Sequence, residues 1–68
     1  MKLINSKTRE QINPGDTVTD FRGDIAICQG FVAPRHSGST GRIHVGYPDR
    51  EGTAEYYPSV FGAEIVES

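Results

Sequence analysis

The sequence predicts an all-β domain, a small SH3-like barrel of five to six short strands with one 3₁₀ turn before the last strand. Three observations carry that expectation. Eight glycines and four prolines are scattered along 68 residues and separate short apolar runs. Those runs are rich in β-branched and aromatic residues, which suit a pleated, half-buried surface. No stretch keeps apolar residues at i, i+3, i+4 and i+7 over three turns, so no long amphipathic helix is expected. An OB-fold is disfavoured, since it usually carries a longer helix and more residues.

Lys2, Leu3 and Ile4 open the chain, residues 5 to 8 form a polar turn, and residues 9 to 12 return as a short hairpin partner. One turn of helix over residues 6 to 11 is the rival reading. Pro14-Gly15 suits a type II turn, because glycine accepts the positive φ required at the third position. Residues 16 to 21 (DTVTDF) make the first long strand. Arg22-Gly23 closes a tight turn into a strand over residues 25 to 32. Strict alternation there places Ile25, Ile27 and Phe31 on one face and Ala26, Cys28 and Val32 on the other. Apolar residues on both faces mark this strand as central, and Gly30 within it marks a bulge or bend.

Residues 33 to 42 (APRHSGSTGR) read as a hairpin loop. In the following strand, 42 to 47, Ile43, Val45 and Tyr47 alternate with Arg42, His44 and Gly46, which leaves one face in solvent. Residues 48 to 52 turn the chain and residues 53 to 57 return as the partner strand. Pro58 ends that pairing because it has no amide donor. Residues 58 to 61 (PSVF) form one 3₁₀ turn, Gly62 releases the chain, and residues 63 to 66 make a final short strand.

A chain of this length is a single domain over residues 1 to 68, with a thin core, since a small domain buries only about 60% of the surface that its unfolded chain exposes. Seven lysines and arginines against nine aspartates and glutamates give a net charge of −2. Nucleic-acid binding spread over the whole surface would need a basic excess, so any basic patch must be local. The one cysteine, Cys28, makes no internal disulfide and no zinc site of the usual kind, and suits a reducing compartment. No apolar run is long enough for a signal peptide or a membrane span. The expected setting is soluble and cytoplasmic, with no membrane partner.

Three segments together carry a resemblance: GDTVTDFRGD (15 to 24), STGRIHV (39 to 45) and EYYPSVFG (55 to 62). The chain resembles small proteins encoded by bacteriophages and prophages, in which a GDxVTxFRGE segment and a closing YYPSVF segment recur. The likeness runs over residues 12 to 66, and Asp24 stands where that pattern has glutamate. It implies phage or prophage origin and expression inside a bacterial host. It carries over no catalytic residue.

Residues with chemical potential fall into few groups. Arg22-Gly23-Asp24 spells the tripeptide that integrins recognise, but a tight turn explains it in a chain with no route of export. Residues 33 to 42 hold Arg35, His36 and Arg42 among small hydroxyl residues and glycines. Their spacing matches neither phosphate-loop pattern, and a strand follows where such a loop opens a helix. His36 and His44 lack further ligands, so no metal site and no cofactor are expected. Ser37, Ser39 and Thr40 lie near His36 without the rigid support that a nucleophile requires, and Cys28 lies mid-strand, so no catalytic residue is expected and the chain is not read as an enzyme. Tyr56 and Tyr57 must point to opposite faces, one into the core and one outward.

These readings converge on a non-enzymatic binding module that contacts a host or phage protein, such as a defence or regulatory protein. Arg35, His36, Arg42 and His44 would supply charge, and Tyr56 or Tyr57 an aromatic anchor. Two other expectations stand beside it. One is binding of single-stranded nucleic acid or nucleotide phosphate through the 33 to 42 loop. The other is a self-associating structural protein, a homo-oligomer joined through an open strand edge.

Overall fold

β-Branched and aromatic segments adopt extended backbone, and the glycine and proline clusters turn the chain between them. The computed structural model describes residues 1–67. Its elements are β1 Lys2–Asn5, β2 Thr17–Thr19, β3 Ile25–Val32, β4 Arg42–Gly46, β5 Ala54–Tyr56, the 3₁₀ helix Pro58–Phe61 and β6 Ala63–Val66. The all-β class, the six strands and the 3₁₀ turn before the last strand follow the sequence expectation. Closure into a barrel does not: β2-β3-β4-β5 form one antiparallel sheet and β1-β6 a second, and neither closes on itself. Pro58 and the 3₁₀ turn redirect the chain after β5, so Ala63–Val66 pairs with β1 instead of extending the larger sheet.

The two sheets share one core. Leu3 and Ala63 from the smaller sheet pack with Val18, Ala26, Cys28, Ile43 and Val45 from the larger one, and Tyr47 and Phe61 close its ends. Leu3, Ile43 and Val45 are fully buried. Each such side chain contributes about 1.5–3 kcal/mol of burial energy. β4 follows the alternation expected of it, with Ile43 and Val45 inward and Arg42, His44 and Gly46 at the surface.

β3 corrects the expected faces. Its pairing with β4 slips between Cys28 and Gly30, where φ is +144°. The extra residue at this bulge reverses the alternation, so Phe31 sits opposite Ile43 and packs on the same core as Ala26 and Cys28. Ile25, on the other face before the bulge, is exposed. The strand is nonetheless central in its sheet, as its composition suggests.

The N-terminal hairpin is present in short form. Residues 9 to 12 return along β1 through an Ile4–Gln11 bridge and two backbone hydrogen bonds, from Asn5 N–H to the Glu10 carbonyl and from Ile12 N–H to the Leu3 carbonyl, both at 2.8 Å, and β6 pairs with β1 as well. Asn5 sets the turn: its side-chain oxygen accepts the amides of Lys7 and Thr8, its carbonyl accepts the amide of Arg9, and Arg9 takes a φ of +67°. Elsewhere the turn chemistry holds. Asp16 N–H donates to the Asn13 carbonyl at 3.0 Å with Gly15 at φ +97°, as a Pro-Gly type II turn requires. β2 is shorter than expected because Asp16 and Asp20 both belong to turns.

Candidate functional site

All loops of the larger sheet gather at its two ends. The β2–β3 and β4–β5 turns lie at one end, and the β3–β4 loop with the 3₁₀ helix lies at the other. The residues singled out from the sequence belong to the second end and to the outer face beside it.

Arg42 begins β4 with its side chain on the outer face, next to the residue that follows β5. Its guanidinium lies over the ring of Tyr57, 4.1 Å from the centroid, and Nη1 donates to the Gly41 carbonyl at 2.8 Å. Tyr57 is 56% exposed, so the stack presents an aromatic edge and a cation together. Arg42, His36, Ser39 and Tyr57 line a hollow of about 440 Å³. Arg35 joins Arg42 and His36 around an adjoining hollow on the other side of the loop. A third cleft, of about 390 Å³, shares Ser39, Thr40 and Ser59 with the first and continues onto an apolar wall of Pro34, Pro58 and Ile65. The hollows adjoin through these shared residues, cationic and aromatic at the mouth and mixed beyond, where Pro34 and Ile65 stand beside Ser6, Ser59 and Glu64.

Charge pairing divides the arginines, while among the described residues Lys2 and Lys7 also lack a carboxylate within ion-pair distance. Arg9 pairs with Glu64, Arg22 with Asp20 and Asp24, and Arg50 with Asp49. Among the described residues Arg35 and Arg42 have no carboxylate within ion-pair distance. Their charge is uncompensated where the groove opens.

Two expected members do not join the site as foreseen. Tyr56 is turned into the core, edge-on to Tyr47 at 6.3 Å and to Phe61 at 5.7 Å, which leaves Tyr57 as the outward tyrosine. His44 lies on the outer face of β4, but its Nε2 is 3.2 Å from Glu55 Oε2, so a carboxylate already faces it. The structure therefore brings together Arg35, His36, Arg42 and Tyr57.

A polar cluster at the opposite end has no counterpart in the sequence expectations. Asp20 is 5% exposed although it sits in a turn. One of its oxygens accepts the amides of Arg22 at 2.9 Å and Asp24 at 3.0 Å, and the other accepts the Tyr47 hydroxyl at 2.9 Å. Burial by itself would raise this carboxyl, but the hydrogen bonds from Tyr47, Asp24 and Arg22, with the Arg22 charge, outweigh it and hold Asp20 below its ordinary value. Tyr47 is pushed up to about 12, first by burial and then by the adjacent carboxylate. An aspartate three residues before a glycine is the sequence signal of such an Asx turn.

Asp20 has both oxygens engaged, and burial with the adjacent carboxylate disfavours ionisation of Tyr47. Burial likewise pushes the Cys28 thiol up and away from its reactive form. Among the described residues no three His, Cys, Asp or Glu side chains gather as a metal site, and no helix is long and apolar enough to cross a membrane. No protein-family model, curated protein or solved structure matches the chain.

Proposed function

We propose that this chain is a non-enzymatic binding module of phage or prophage type, a relative of SH3-like barrels, that holds an acidic and apolar segment of a host or phage protein in the groove at the β3–β4 end. One observation carries the reading: Arg42, stacked on the exposed Tyr57, has no carboxylate partner where the other paired arginines have one. A partner carboxylate completes that arrangement with charge-assisted hydrogen bonds, and a neighbouring apolar side chain fills the wall of Pro34, Pro58 and Ile65. Such a module acts by occupying or masking a regulatory or defence protein in the bacterial cytoplasm.

The test is a titration of the purified protein with a panel of labelled peptides that place Asp or Glu beside Leu or Phe. At least one should bind, and Arg35→Ala with Arg42→Ala should weaken it about tenfold or more, the effect of losing two charged hydrogen-bond donors. No binding by any member of the panel removes the reading.

Single-stranded nucleic acid is the second reading, favoured by the same pairing of a cation with an exposed aromatic ring. Two uncompensated arginines allow a dependence of log affinity on log salt of only about −1.4. An oligonucleotide pool that binds with a steeper slope would favour this reading over the protein partner.

A further inference from the structure

The larger sheet carries opposite charge at its two ends. Asp24, Ile25, Tyr47, Asp49 and Arg50 surround one hollow, which brings the β2–β3 and β4–β5 turns together. Those turns hold Asp20, Asp24, Asp49 and Glu51 against Arg22 and Arg50, four carboxylates to two guanidiniums, a balance of −2. Residues 33 to 42 hold Arg35 and Arg42 and no carboxylate, a balance of +2 with His36 neutral. The eight residues of β3 separate the two ends. At about 3.3 Å per residue they stand roughly 23 Å apart, beyond the screening length of about 8 Å at physiological salt. Within one copy these charges leave each other unneutralised.

The acidic end also carries the largest apolar exposure among the described residues. Phe21 is 80% exposed and Ile25 56%. The turn that displays Phe21 is fixed from below, since the buried Asp20 carboxylate gathers the amides of Arg22 and Asp24 and the Tyr47 hydroxyl. A ring held on a preorganised turn loses little freedom when it docks. The basic end offers the complement. Its cleft of about 390 Å³, walled by Pro34 and Ile65 on a rim of serines and Thr40, exceeds the roughly 150 Å³ that holds a benzene ring, and Arg42 and Tyr57 stand in the adjoining hollow. Glu64 in the cleft wall is already held by Arg9.

We propose that the Phe21 turn of one copy docks in the 33 to 42 groove of the next, so that the chain assembles head to tail. Phe21 enters the cleft while the acidic turns, whose Asp24 and Asp49 also contact Arg22 and Arg50 of their own turns but whose balance stays negative, meet Arg35 and Arg42. The proposal rests on the reading of the groove as a receptor for acidic and apolar segments, and it names a second copy of this chain as one occupant. The two surfaces lie at opposite ends and are unlike, so the contact is heterologous and leaves a free groove and a free turn after every addition. Such assembly yields an open chain or a ring.

Sedimentation velocity and light scattering across a concentration series at low salt test it. The mass of the wild type should climb above the 7.4 kDa monomer with concentration and fall back with added salt. Phe21→Ala, which removes the turn's ring, and Arg35→Glu with Arg42→Glu, which reverses the groove, should each stay monomeric. Mixed together, the two variants should form a one-to-one dimer and stop there, because only one intact contact remains between them. Thermal unfolding of each variant verifies that it is folded, and Asp49→Lys, at an exposed turn position, supplies an independent disruption. A wild type that is monomeric at every concentration overturns the proposal, as do variants that still assemble. If such a monomer still binds the acidic peptides, the groove reading stands alone; assembly abolished at Phe21 but indifferent to both arginines overturns docking in the groove, and failure of the peptide panel overturns the groove reading as well.

Discussion

The two ends of β3 are held by opposite strategies. At its start, residues 20 to 24 turn around a single buried carboxylate, and both oxygens of Asp20 take donors from the turn and from Tyr47 across the sheet. At its end, residues 33 to 41 bond mainly among themselves: Ser39 N–H reaches the His36 carbonyl at 3.2 Å, and Gly41 N–H reaches Ser39 Oγ at 3.2 Å. The first segment is fixed by the rest of the fold and the second chiefly by its own chain. The burial of one side chain ties the first loop to the rest of the fold, and the second has no such tie from a buried polar group.

Gly41 is where the second segment is nevertheless anchored, and substituting it should give the largest effect. It is buried with φ at +76°, and a Cβ there would collide with the Val32 carbonyl oxygen and lie 2.6 Å from Ile65 Cδ1. Gly41→Ala combines left-handed strain with overpacking and should cost about 2–4 kcal/mol. Gly38, at φ +87° with open space around it, isolates the strain. Gly38→Ala should cost about 1 kcal/mol. Thermal unfolding reads both, at about 4–8 °C per kcal/mol for a domain of this size. Equal losses would show that the close approach at Gly41 contributes nothing.

The first segment is tested through its carboxylate. Tyr47→Phe removes one of the donors and should cost about 1–2 kcal/mol. Asp20→Ala should lower the unfolding midpoint further, because it strands two amides and a buried hydroxyl. The pH dependence follows from the two shifts. Asp20, held below 3.8, stabilises the fold above that pH, and the contribution is lost as the pH falls through its lowered value. Tyr47 stabilises the fold fully below its ordinary value of 10.0, and that contribution disappears as the pH rises towards about 12. In Tyr47→Phe the alkaline loss due to this residue should vanish, which a series of unfolding curves above pH 10 would show.

The difference between the segments also explains what the sequence made legible. The 3₁₀ turn over Pro58–Phe61 was readable because proline, an apolar pair and a following glycine act locally, and Gly62 does take the left-handed cap at φ +62°. The alternation of β4 was readable for the same reason. Gly30 marks its bulge, but strict alternation through it predicts the wrong face for Phe31. The pairing of Lys2 with Val66 joins the chain's ends, and no local pattern encodes a partner so distant. The burial of Asp20 is invisible in the sequence because an aspartate in a turn ordinarily faces water, and the hydroxyl that makes its burial tolerable comes from 27 residues away. Of the site, Arg35, His36, Arg42 and Tyr57 were visible as residue types. The absence of carboxylates beside the two arginines depends on where the other chain segments fold.

Arg42→Lys should have the smallest effect on stability and separates the chemistry of the groove from its charge. Lysine keeps the cation but has no plane to lay over Tyr57, and it offers a carboxylate no forked pair of donors. An exposed cation–π contact contributes about 0.5–1 kcal/mol, so the unfolding midpoint should fall by only a few degrees. Peptide affinity in the groove should fall several-fold further than that loss alone predicts, because both the stack and the bidentate geometry disappear. If affinity is retained, the partner reads only the positive charge of this end. The stacked Tyr57 would then be a support for Arg42 and not part of the recognition surface.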